Sequence, residues 1–185
     1  MPNYSKQGKI LEPITLEDLE NALDNMTLEY QAYAVFLFYT GVRVSEALRL
    51  VKEDFRFTDG CLYVEIGIRL KTARKQPDGT KSKGKKTAPL PIALDQPHVE
   101  ILERWIKRHT KQGQRIFRFN RVSAWRHINK AGLGYNHLAR LSAITSFLDA
   151  GYTVPQVIGW FGVRVETVNS YIGLKDLKKM GELKR

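Results

Sequence analysis

A mainly helical α+β domain with a small antiparallel three-stranded sheet is predicted by three features of the sequence. Capped helical stretches open the chain, one alternating segment turns back on itself at Asp59–Gly60, and the second half returns to helical apolar periodicity. With 185 residues, 43% hydrophobic and 10% aromatic, the chain can bury one good core, so a single compact domain is expected.

Taken in order, Thr15 followed three positions later by Asp18 has the spacing of a capping box and opens a helix through about Asn25. Thr27 can cap the next helix, YQAYAVFLFYT, which stops at Gly41. Ser45 is placed to cap EALRLV. The segment FRFTDGCLYVEIGI alternates about a DG turn and reads as a hairpin, with TAPLPI as a third strand. Between the second and third strands lies RLKTARKQPDGTKSKGKK, a strongly basic loop. From Pro97 to about Gln112, Ile101, Leu102, Trp105 and Ile106 recur at helical spacing. Four further helices are expected over 121–131, 136–150, 154–161 and 165–172, before a short charged tail, LKDLKKMGELKR.

The formal net charge is +11, and it is unevenly spread: residues 1–40 carry −4, leaving +15 for the remainder. A field of that sign attracts polyanions, although a lysine-rich surface could equally serve solubility. The lone Cys61 excludes an internal disulfide framework and any multi-cysteine zinc site, and its neighbours CLYVEI make it a small strand residue. No apolar run approaches membrane-spanning length, and MPNYSKQGK lacks the apolar centre of a signal peptide. A soluble protein of the cytoplasm, without a membrane partner, is therefore expected.

Three places carry candidate chemistry. In FYTGVRVSEALRL, Arg43 sits in a turn between two helices, where a planar guanidinium could hold a phosphate in bidentate fashion; capping the preceding helix or pairing with Glu46 is the alternative. In YNHLARLSAITSFLDAGY, His137 and Arg140 share one face near a helix N-terminus, where anions are already favoured. Tyr171, in a short helical segment before Gly173, is either a packing aromatic or a phenol nucleophile that attacks phosphorus once cations neutralise the phosphate. The sequence holds no His/Cys ligand cluster or paired carboxylates that suggest a metal site.

The order of these segments joins them. TGVRVSEALRL, a basic hairpin, HLAR leading into an apolar helix ending LDAGY, then IGWFG and a late tyrosine resemble the catalytic domain of the tyrosine recombinases, the phage-integrase and Xer family. The resemblance covers nearly the whole chain. The family's first box, TG-[LMV]-R-[IV]-SE, is matched from Thr40; its second, H-x-x-R followed by an apolar helix and a glycine, at His137, Arg140 and Gly151. The resemblance implies that Arg43 and Arg140 clamp the scissile phosphate and that His137 hydrogen-bonds it or assists proton transfer. Tyr171 would form a 3′-phosphotyrosyl link and release a 5′-hydroxyl. Glu46 would orient the site, and Lys71 would be the general acid, with Lys83, Lys85 or Lys86 as substitutes. The cations of the loop, Arg69, Arg74, Lys75, Lys81, Lys83, Lys85 and Lys86, would contact DNA. Because the phosphotyrosyl link conserves the bond energy, no cofactor, neither ATP nor a metal, is implied.

The chain also departs from the family pattern. Val163 follows Gly162 where the family usually has histidine or tryptophan, and Tyr171 comes one residue early, so the final hydrogen-bond donor is either missing or supplied by Arg164, Trp160 or a residue from elsewhere. Leu141 replaces the polar residue usual after the second-box arginine. Divergent integrases of archaeal viruses and plasmids are members expected to differ in this way. On the same resemblance, residues 1–12 are a leader or linker, 13–173 the catalytic domain and 174–185 a tail that could be exchanged between subunits, with the usual N-terminal core-binding domain absent. The expected partners are double-stranded DNA attachment sites and further copies of the full-length protein, as a tetramer on DNA. A DNA-binding module with impaired chemistry and a type IB topoisomerase remain as alternatives.

Overall fold

The computed structural model describes residues 13–68, 85–86, 88–134, 136–169 and 172, with the side chains of residues 68, 85, 86, 136 and 137 outside the description. Helix α1 (Leu16–Leu23) starts as its sequence predicts. The Thr15 hydroxyl accepts from the Asp18 N–H at 3.1 Å, and the Asp18 carboxylate accepts from the Thr15 N–H at 2.8 Å. Leu19, Ala22 and Leu23 form its buried face.

Helix α2 (Leu28–Thr40) is the centre of the molecule. Every residue from Ala32 to Leu37 is buried, so the helix is apolar nearly all round and must be enclosed by neighbours. Those neighbours are α1, α4 (Val99–His109), α5 (Arg121–Lys130) and α6 (Asn136–Asp149). Helices α2 and α4 run antiparallel: the Tyr39 hydroxyl, near the end of α2, donates to the Pro97 carbonyl just before α4 at 2.8 Å. The chain enters over α6, with the Ile14 N–H donating to Ser142 Oγ at 2.7 Å.

After α2 comes the one-turn helix α3 (Val44–Ala47), whose N-cap is Arg43 rather than the expected Ser45. The reason is Glu46, whose carboxylate reaches back three residues to accept from the Arg43 N–H at 3.2 Å and so fixes the start two positions earlier. Strands β1 (Phe55–Thr58), β2 (Cys61–Val64) and β5 (Leu90–Ala93) form the expected antiparallel sheet in the order β1-β2-β5. Thr58 pairs with Cys61 across a two-residue turn in which Asp59 and Gly60 both have positive φ, 50° and 73°. That conformation matches the twist of a tight hairpin, and it is why DG reads so clearly. One pairing was not foreseen: β3 (Gly67–Ile68) pairs with β4 (Lys85–Lys86) at the base of the basic loop.

Helix α4 buries Val99, Leu102, Trp105 and Ile106, and Lys52 Nζ donates to the Thr110 carbonyl at its end at 2.8 Å. The segment after it is pinned from both sides. Trp105 Nε1 donates to the Ile116 carbonyl at 2.9 Å, and the Ile116 N–H donates to the Leu50 carbonyl at 2.9 Å. Helix α5 follows, capped by the Asn120 side chain, then α6 and α7 (Val154–Phe161), which ends at Gly162; residues 165–169 are helical again. Among the described residues no helix is long and apolar enough to cross a membrane.

Candidate functional site

The site is built around one glycine. Gly41 ends α2 with φ 52°, a left-handed conformation that side chains disfavour, and a Cβ there would stand 2.7 Å from Arg140 Cα and 2.8 Å from Ala143 Cβ. Helix α6 therefore lies directly against the end of α2. The approach brings the two sequence boxes together, since Arg43 is two residues past Gly41.

Arg140 is only 3% exposed, a position where a cation is costly unless its donors are satisfied. Its Nη1 donates to the Gly41 carbonyl at 3.1 Å, and its Nη2 to the Phe161 carbonyl. Both acceptors sit at helix C-termini, those of α2 and α7, where the peptide dipoles present negative charge. One guanidinium thus ties three helices at the same point.

Arg43 is held differently. Its Nη1 donates to Glu46 Oε1 at 2.9 Å while its side chain stays 39% exposed. Glu46 is 6% exposed and contacts both the backbone and the side chain of Arg43. The pairing that the sequence left as an alternative to phosphate binding is present, yet an arginine has five N–H donors and this one remains open to solvent. Pairing and anion contact are compatible.

Among the sequence-derived candidates, Arg43, Glu46 and Arg140 are therefore gathered at one place. His137 lies in the first turn of α6, one turn before Arg140, with its side chain outside the description. Tyr171, Lys71, Arg69, Arg74, Lys75, Lys81 and Lys83 lie outside the described residues, and Lys85 and Lys86 are placed only as the backbone of β4. Val163 and Leu141, where the chain departs from the family pattern, are both buried apolar residues. Of the two substitutes for the missing donor, Trp160 is enclosed in an aromatic group with Phe147 and Tyr152 at 5.4 and 5.1 Å. Arg164 is exposed, and its carbonyl accepts from the N–H groups of Thr167 and Val168 at the start of the helical residues leading toward position 171.

Sequence reasoning passed over α5. Its outer side presents Arg121, Arg126 and Lys130 beside two exposed apolar residues, Val122 at 61% and Trp125 at 46%. The signal was available: none of the chain's 19 Asp and Glu residues falls between positions 104 and 148.

Residues 9–175 match the Phage integrase family. No curated protein sequence matches the chain significantly. Solved structures do. The XerH site-specific recombinase, bound to its difH substrate in a pre-cleavage complex, aligns with a TM-score of 0.60 and 21% identity, over 92% of this chain and 56% of that one. The XerA recombinase aligns with a TM-score of 0.63 and 17% identity, over 100% and 67%. The Tn1549 transposon integrase, in complex with transposon right end DNA, aligns with a TM-score of 0.57 and 15% identity, over 88% and 62%. The chain thus spans little more than half the length of the XerH recombinase, and at these identities what the structures share with it is the fold. Mainly helical with a small antiparallel sheet, and matched over nearly its whole length, the chain belongs to the phage integrase family and has the fold of a tyrosine-recombinase catalytic domain.

Proposed function

We propose that the chain is the catalytic part of a site-specific recombinase that cuts and rejoins double-stranded DNA for integration or excision of a mobile element. The observation that carries this reading is the meeting of Arg43 and Arg140 about Gly41, one on a solvent-open turn and one locked to two helix ends. Two pre-oriented guanidinium groups suit a phosphodiester whose charge must be neutralised before a weak nucleophile can attack.

In the proposed reaction, Tyr171 Oη attacks phosphorus, forming an O–P bond as the bond from phosphorus to the 5′-oxygen breaks. The phenolic proton leaves with help from His137. The departing 5′-oxygen takes a proton from Lys71, or from Lys83, Lys85 or Lys86. Reversal by another strand's 5′-hydroxyl restores a phosphodiester, so the sequence is isoenergetic and needs neither ATP nor a metal. Glu46 holds Arg43 in place, and Arg164 supplies the remaining phosphate contact. The basic loop grips the backbone, and the exposed side of α5, cationic with an aromatic and an aliphatic tip, meets the duplex grooves. In the longer protein, four copies act together on paired attachment sites.

The test separates binding from chemistry. Arg43→Gln is expected to keep duplex binding within several-fold of the wild type while cleavage of a nicked duplex falls by about 10²–10³. Cleavage that survives Arg43→Gln at the wild-type rate would contradict the assignment.

A further inference from the structure

The cationic surface does not end at α5. Between Glu103 and Asp149 the chain carries Arg104, Lys107, Arg108, Lys111, Arg115, Arg118, Arg121, Arg126, Lys130 and Arg140 without one carboxylate. All of these except Arg140 are exposed. Of these exposed residues only Lys107 and Arg118 have ion-pair partners among the described residues, Glu103 at 2.6 Å and Glu29 at 3.8 Å. The other exposed cations of the stretch form no ion pair there, while the Glu53 carboxylate accepts from the Gly113 N–H at 2.6 Å, two residues past Lys111.

Their placement makes them continuous. Arg104 and Arg108 are one helical turn apart on the last turns of α4, and Lys111 follows directly. The Arg118 guanidinium lies 5.5 Å from the ring of Trp105, the residue between Arg104 and Ile106, which joins that segment to α4. Three residues later Arg121 begins α5. Because α4 runs antiparallel to α2, this end lies beside the first half of α2, where Phe119 stacks on Tyr30 at 4.4 Å. It is therefore roughly one α2 length, about 20 Å, from the turn that carries Arg43.

We propose that Arg104, Arg108 and Lys111 form a second phosphate-binding surface, which takes duplex backbone flanking the segment held at Arg43 and Arg140. The inference rests on the DNA-binding reading above and extends it to a face outside the catalytic residues. Flexible, solvated cations on a helix end suit sequence-independent backbone contact, because they neutralise phosphates without having to match base edges.

Salt dependence tests it, with a random-sequence duplex of about 45 base pairs as probe and the slope of log affinity against log salt measured by fluorescence anisotropy. The variant is Arg104→Gln, Arg108→Gln and Lys111→Gln together, all exposed positions that leave the core intact. Its slope is expected to be shallower than the wild type's by about 2.7, roughly 0.9 for each lost phosphate contact. An unchanged slope overturns this second surface and leaves the proposed function standing. Wild-type protein that does not bind the duplex overturns both.

Discussion

Gly41, Arg43, Glu46 and Arg140 each have a local reason for their identity, and the reasons interlock. Gly41→Ala would force a left-handed alanine, about 1–2 kcal/mol, and drive its Cβ into the backbone of Arg140. The clash cannot be relieved by a side-chain rotation, so a total loss of about 2–4 kcal/mol in chemical unfolding is expected, with cleavage falling further than stability alone explains. Tyr39 gives a pH signature. Burial first, then the nearby charge of Glu100, pushes its phenol from the usual 10.0 up to about 12. The folded state thus holds this proton more tightly than the unfolded chain. Its contribution to stability is complete below pH 10 and is lost as pH rises through about 12. Unfolding measured from pH 9 upward should show stability falling across that window, and Tyr39→Phe should remove part of the slope.

Elements whose signals are local were legible in the sequence, and those that depend on distant partners were not. The β1–β2 hairpin was readable because Asp59–Gly60 names its own turn. Gly60→Ala there, at φ 73° with open space around the Cβ position, should cost about 1–2 kcal/mol in thermal unfolding through backbone strain alone. The start of α3 was misplaced because serine is a good cap by propensity, whereas the Glu46 carboxylate, already committed to Arg43, decided the position. The β3–β4 pair was hidden because Gly67–Ile68 and Lys85–Lys86 are far apart in sequence and two residues carry no periodicity. At the site, the Arg43 turn and the Arg140 helix were found from their motifs. That Arg140 would be buried against two helix ends was not, since its acceptors are backbone carbonyls, which any sequence supplies.

At the scale of the whole molecule, an apolar helix, α2, fixes the layout. Enclosed by α1, α4, α5 and α6, it delivers Gly41 and Arg43 to one end, where α6 and α7 converge through Arg140. The charge is distributed to match, with an acidic first part and an acid-free stretch from 104 to 148 that covers α5 and the end of α4. A rigid centre with a cationic exterior suits the proposed hold on a stiff polyanion. The most direct test is a covalent trap. A nicked duplex bearing the proposed attachment site is incubated with wild-type protein and with Tyr171→Phe, and the products are separated under denaturing conditions. A protein–DNA adduct formed by the wild type and missing from Tyr171→Phe is the expected result. An adduct that persists in Tyr171→Phe, or measurable DNA binding by the wild type with no adduct, would contradict tyrosine-mediated strand transfer by this chain.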